Sequence, residues 1–360
     1  MRNLISFALL LFAAVYTNAQ TPLFIPDTLA GTNINLNIAD SSHQFFPGIN
    51  TTTIGYNGSY LGPTIILNKG QSLTMNVHNE LADTTTTHWH GLHVAPMNDG
   101  GPHNMIMPSD TWSPAFTVMD NAATYWYHPH MHGKTMDQVM MGAAGLIIVR
   151  DSLEASLNLP GKYGIDDFPL IFQWQHLDST TKQIILDDEA DNITMVNGQI
   201  TAPFVNVPAQ IVRLRILNAS SHRFFEFGFD DNRTFNQITS DAGLLNGPVP
   251  LTRLMLGSGE RAEILVDFSG QQGNTFFIKQ YGSQLPAGYP GGPPDAMGMM
   301  VLGPLDNTDF NLLQLNVIAP TSDPVTTIPA TLSLNVPYSV VGVDNFTVAF
   351  TGVPMMSMTN

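Results

Sequence analysis

An all-β protein of two tandem β-sandwiches is the fold class this sequence predicts, and three observations predict it. Hydrophobic residues make up 43% of the chain and charged residues only 12%, with 30 Gly and 25 Pro; that balance favours strands joined by turns over a helical bundle. Apolar residues recur in short alternating or continuous runs, each bounded by Gly, Pro, Asn or Asp. Outside the N-terminus no stretch of ten or more residues carries a helical period. At 360 residues the chain exceeds one ordinary domain and has room for two and a fraction.

The elements follow in order. Arg2, the apolar run Leu4 to Val15 and the small residues Thr17-Asn18-Ala19 read as a secretory signal over residues 1–19, with a mature chain starting at Gln20. Export to a periplasmic or extracellular location follows. The apolar run is too short for a comfortable membrane span. Strands are predicted at Ile34 to Ile38, Pro63 to Leu67, Ser72 to Val77, Trp112 to Val118, Thr124 to Tyr127 and Ala144 to Val149, close to the seven of one sandwich, which sets a first domain at 20–153. Leu159 to Gly164 has linker chemistry. A second series covers Pro169 to Trp174, Gln210 to Leu217, Arg223 to Phe229, Leu251 to Leu256, Glu263 to Phe268 and Asn274 to Gln280, a second domain at 154–305. Residues 306–360 offer a strand at Leu312 to Ile318 and a β-like run at Val340 to Phe350, and read as a linker and the start of an incomplete third domain.

Charge and cysteine usage narrow the function. Thirteen basic against 29 acidic residues give a net charge of −16, which disfavours nucleic acid and anionic membranes and suits cationic partners, metal ions included. An exported chain without a single Cys has no disulfide, so its core or a metal must hold the fold.

Chemistry concentrates in one segment. Of 11 histidines, those at 88, 90, 93, 103, 128, 130 and 132 crowd between His88 and His132. Two His-x-His pairs dominate, His88-Trp89-His90-Gly91 and Tyr127-His128-Pro129-His130. On a strand, residues i and i+2 share a face, so each pair presents two imidazoles to one place. Four imidazoles would be costly to bury without a common partner, and neutral imidazole suits copper, zinc, iron or nickel. His43, His78, His176 and His222, by contrast, read as hydrogen-bonded structural residues.

These motifs, with Asp99-Gly100-Gly101-Pro102 and Trp126 through Thr135, resemble the multicopper oxidase family. Gly142 to Val149 is similar to the strand that closes the family's first cupredoxin domain, while Val196-Asn197-Gly198 and Arg213 to Ala219 resemble its second; the likeness covers about 30 to 305. The resemblance implies cupredoxin-like Greek-key sandwiches and a copper enzyme, laccase-like, that couples oxidation of a small-molecule or Cu(I) donor to reduction of O2 to water. It implies that His88 binds the type 2 copper and that His90, His128 and His130 bind the type 3 pair. Asp99 matches the acid that assists proton delivery near that cluster, although in Asp-Gly-Gly-Pro it also reads as a turn residue.

The sequence departs from the family in one respect. Type 1 copper needs a Cys, and the other four cluster histidines lie in a later His-Cys-His-bearing domain; no Cys is present, and no His-x-His follows His132. The expectation is therefore a partial oxidase chain, inactive alone, with the type 1 site in absent sequence. A natural two-domain copper-binding or scaffold protein is the alternative, and a zinc hydrolase is a third. His93, His103 and His132 read as neighbours of the site or surface groups. Met297, Met299 and Met300, and Met355, Met356 and Met358, read as core filling or as soft ligands. Triplets such as Asn57-Gly58-Ser59 and Asn218-Ala219-Ser220 are weak glycosylation signals.

Overall fold

Along Asn33–Phe46 buried and exposed side chains alternate almost residue by residue, because successive Cβ atoms of a strand point to opposite faces of its sheet. That pattern sets one wall of a sandwich in the computed structural model of the protein, which describes residues 21–187, 191–200, 202–295 and 303–335. The wall runs Ile49–Tyr56, Asn33–Phe46, Ser72–Asn79, Thr111–Trp112, with Ala115–Thr117 also on Ser72–Asn79. The opposing sheet runs Thr28–Ala30, Thr64–Asn68, Gly145–Arg150, Ala123–His128, His88–His90. Leu36, Ile38, Met75 and Val77 meet Ile65, Leu67, Ile147 and Val149 in the core between them. The run expected as one strand from Trp112 to Val118 is two, broken around Pro114.

A second sandwich packs a six-stranded sheet (Ile193–Val196, Asp167–Gln175, Ile211–Asn218, Arg261–Asp267, Phe235–Ser240, Gly243–Leu251) on a five-stranded one (Phe204–Pro208, Asp309–Ile318, Thr275–Tyr281, Phe225–Phe229, Leu254–Leu256). Phe168, Phe172, Phe225 and Phe227 fill its centre with Leu214, Ile216, Ile264 and Val266. One strand expectation is corrected here. The run Leu251 to Leu256 turns a corner, its two ends lying in different sheets. The strand Asp309–Ile318, placed by the sequence after a domain end at 305, pairs with Thr275–Tyr281 and Phe204–Pro208. Its alternate residues Leu313, Leu315 and Val317 find their core only in the second sandwich.

The two sandwiches meet through an apolar layer in which Tyr60, Leu61, Trp126 and Leu146 face Ile171, Met195, Leu217 and Ala219. Beside it lies a buried ionic network. Arg215 donates to Asp167 and Glu263, Arg213 to Glu263 and Glu154, and Thr124 of the first sandwich donates its hydroxyl to Glu263. Among the described residues the α-helices are Thr135–Met140 and Ser152–Ser156, with single 3-10 turns at Pro96–Asn98 and Gly282–Gln284. None of the described helices is long and apolar enough to cross a membrane. The signal segment, the run Val340 to Phe350 and both methionine groups lie outside the described residues.

Candidate metal centre

The two His-x-His motifs become neighbours because His88–His90 pairs antiparallel with Ala123–His128, in a register that sets His88 opposite His128 and His90 opposite Trp126. Trp89, pointing the other way, is fully buried, stacks on Trp112 and donates its indole N–H to Asn98 O at 3.0 Å. Strand alternation thus drives Trp89 into the core and leaves both histidines of the first motif on the opposite face. In the second motif only His128 lies in the strand; Pro129 ends it, and the N–H of His130 donates to Thr86 Oγ1 at 2.6 Å.

The four imidazoles converge. Ring centroids lie 5.6 Å apart for His88 and His90, 5.6 Å for His88 and His128, 5.3 Å for His88 and His130, 5.4 Å for His90 and His128, and 6.0 Å for His128 and His130. Trp126 stacks on His128 at 4.0 Å, closing one side. Asp99 lies beside this group: its carbonyl is 2.9 Å and its carboxylate 3.4 Å from His88 Nδ1. Gly100 makes that approach possible, because at φ +75 a Cβ there would lie 1.7 Å from Thr87 O.

Hydrogen bonds to carbonyls decide which ring nitrogens stay available. His88 Nδ1 donates to Asp99 O, and His128 Nδ1 donates to Pro129 O at 2.8 Å, tautomers inferred from the network. Each ring then keeps the lone pair of Nε2. His128 Nε2 faces His90 Nδ1 at 3.1 Å, and the buried His130 Nδ1 meets no hydrogen-bond partner. Burial lowers the pKa of His88, although the Asp99 carbonyl opposes it; burial and then the charge of Arg261 push His90 down to about 3; burial takes His128 well below its usual value. These three rings are neutral at pH 7, the form in which imidazole binds a metal. Among the described residues no three His, Asp or Glu side chains close around a single ion as they stand. Neutral imidazoles brought this close are a donor set whose chemistry fits a transition metal such as copper.

Other histidines stand apart. His93, 79% exposed in its side chain, is held by Asp120 at 2.5 Å; His103 donates to Pro96 O at 2.8 Å; His132 is exposed. His43 contacts Ser59, His78 Thr111, His176 Asp187 and His222 Ser221. Thr86, Arg261 and Gly259 at the site were missed by sequence reasoning. Arg261 meets the first sandwich through a bond 137 residues away, a pairing no local pattern reveals.

Comparison with known proteins places the chain in a family. Two sequence models of multicopper oxidase match residues 37–154 and 172–289. The chain is 37% identical over 257 residues to "Cell division protein FtsP" of Escherichia coli, covering 69% of this chain and 54% of that protein. It is 35% identical over 245 residues to "Multicopper oxidase mco" of Staphylococcus epidermidis, covering 67% and 54%. The chain thus spans about half the length of the curated relatives it matches. Among solved structures, the laccase-like multicopper oxidase CueO of Ochrobactrum sp. superposes with a TM-score of 0.78 at 34% identity, over 89% of this chain and 70% of that one. McoA of Aquifex aeolicus superposes at 0.77 and 29% identity, over 90% and 70%. With its paired His-x-His strands, its tandem cupredoxin-like sandwiches and these likenesses together, the chain belongs to the multicopper oxidase family.

Proposed function

We propose that this chain is part of an exported multicopper oxidase, in which His88 holds the type 2 copper and His90, His128 and His130 hold type 3 coppers. The observation that carries this reading is the convergence of four imidazoles, three from two register-paired strands and His130 just past the end of one, with the Nδ1 groups of His88 and His128 held by the carbonyls of Asp99 and Pro129. When bound, copper supplies one-electron chemistry toward O2 that no side chain here supplies. The residues position and exclude. Carbonyls orient the rings, Trp126 covers His128, and the Asp99 carboxylate, 3.4 Å from His88 Nδ1, is placed to relay protons through water. Family membership supports copper over the zinc alternative. The domain limits we propose are near 153 for the first and, with the strand Asp309–Ile318 included, about 318 for the second.

Sustained turnover further requires a Cys-bearing type 1 site and four more histidines, and these 360 residues hold no Cys. The electron donor, a small molecule or Cu(I), would meet that type 1 site. The test is Cu(II) binding by the purified chain, followed by equilibrium titration and electron paramagnetic resonance. Binding is expected to fall about 10-fold or more in His88→Ala and His130→Ala, with no change in His78→Ala. Equal binding by all four proteins sinks the ligand assignment, and steady O2 uptake by this chain alone with a phenolic donor sinks the requirement for a type 1 site.

A second reading, a non-enzymatic copper-binding or scaffold protein, draws on the relative named as a cell division protein. Oxygen uptake by the protein purified from its natural source separates the two: uptake supports the oxidase, and stable copper without uptake supports the scaffold.

A further inference from the structure

The second sandwich reaches the histidine centre through one turn, Gly257-Ser258-Gly259-Glu260-Arg261, which leads into the strand Arg261–Asp267. At Gly259 the backbone has φ +79, and a Cβ placed there would lie 3.4 Å from His90 Cε1 and 3.6 Å from Trp126 Cζ2. Backbone of one sandwich thus lies within a side-chain contact of a ring of the other, in a left-handed conformation that glycine adopts without strain. Two residues on, Arg261 is 4% exposed and its guanidinium is spent on carbonyls. It donates from Nε to Thr124 O at 3.2 Å, from Nη1 to Gly259 O at 3.0 Å and from Nη2 to Asp241 O at 2.7 Å. Its carboxylate partner is Asp241, 3.0 Å from Nη1 and partly exposed. Nη2 also lies 2.8 Å from where a Cβ on Gly91 would stand, so the same group rests on the residue after His90.

From this geometry we infer that Arg261 is a positioning residue for the metal centre: it clamps the Gly259 turn against His90 and ties both to the strand that carries His128. The planar fork of Arg is what makes the clamp, since it bonds carbonyls of both sandwiches at once. Lys retains the charge but cannot span three carbonyls in fixed directions. The inference rests on the proposed assignment of His90 as a copper ligand only for its effect on copper; the placement of the ring is a property of the chain alone.

The experiment uses the full chain in four forms: wild type, Arg261→Met, Arg261→Lys and, as a destabilised control away from the site, Asp151→Ala. Side-chain 15N NMR of the metal-free protein reads the His90 ring, and Cu(II) titration with electron paramagnetic resonance reads the centre. Arg261→Met is expected to shift and broaden the His90 resonances and to weaken Cu(II) binding about 10- to 100-fold, with partial recovery in Arg261→Lys and no change in Asp151→Ala. His90 signals in Arg261→Met that coincide with those of Asp151→Ala overturn the inference. If Arg261→Met does not fold, Gly259→Ala decides, because at φ +79 a Cβ strains the turn that rests on His90, so the turn and the ring are expected to shift together, and an unmoved ring overturns the clamp. A wild-type chain that binds no copper defeats the ligand assignment, while the metal-free NMR comparison still settles the clamp.

Discussion

Arg215 and Asp167 are both fully buried, and each is there only because the other is. Burial alone would raise the Asp167 carboxyl, yet the guanidinium groups of Arg215 and Arg213 overcome it and hold the pKa at about 2. Glu263 is lowered in the same way, against its own burial, by Arg213 and Arg215. Both folded values lie below the unfolded ones, so the unfolded chain binds more protons in acid. The stabilisation is therefore complete above about pH 4.5 and is lost as pH falls through about 2. Urea midpoints measured from roughly pH 5 down to pH 2 should decline, and less steeply in Asp167→Asn; parallel slopes would refute the linkage. Replacing Arg215 by Met leaves two carboxylates buried with fewer partners and should cost about 3–5 kcal/mol in urea unfolding. At this scale the sequence showed the four histidines, since i and i+2 spacing is covalent, but not Arg261, whose partners come from another sandwich.

At the scale of single elements, the strand Asp309–Ile318 decides where the second sandwich ends. It lies between Phe204–Pro208 and Thr275–Tyr281, so its loss strips two neighbours of their backbone partners and removes Leu313, Leu315 and Val317 from the core. A chain ended at 305 is expected to lose cooperative unfolding and bind a hydrophobic dye, whereas one ended at 335 keeps a single sharp transition. Equal behaviour of the two would support the boundary read from the sequence. The short helix Ser152–Ser156 is held at its start by Asp151, whose carboxylate accepts from Glu154 N at 2.7 Å and from Ala122 N at 2.9 Å. Asp151→Ala should cost about 1 kcal/mol by denaturant unfolding. Strands with strong alternation were legible in the sequence; Ile49–Tyr56 and Gly243–Leu251, rich in Thr, Asn, Gly or Pro, were not, because sheet partners rather than propensity make them strands.

Across the whole molecule, the apolar layer of Tyr60, Trp126, Leu146, Ile171 and Leu217 and the ionic network beside it join two sandwiches into one cooperative unit. Calorimetry should therefore show one unfolding transition with calorimetric and van't Hoff enthalpies equal. Leu146→Asp, which buries a charge in that layer, is expected to split it into two. The same interface places the turn at Gly259 on His90, so the centre is a product of domain packing as much as of its own strands.

By itself the sequence determined the all-β class, the two sandwiches, the family and the four clustered histidines. Each of these is written in local spacing: period-two alternation, turn residues, and His-x-His pairs whose faces a strand fixes. Only the tertiary structure decided that His88 stands opposite His128, that the carbonyls of Asp99 and Pro129 hold the Nδ1 groups of His88 and His128, and that Arg261 braces the site from the second sandwich. Those contacts join residues far apart in the chain, and their pairing depends on strand register and on burial, which exist only once the sheets have packed.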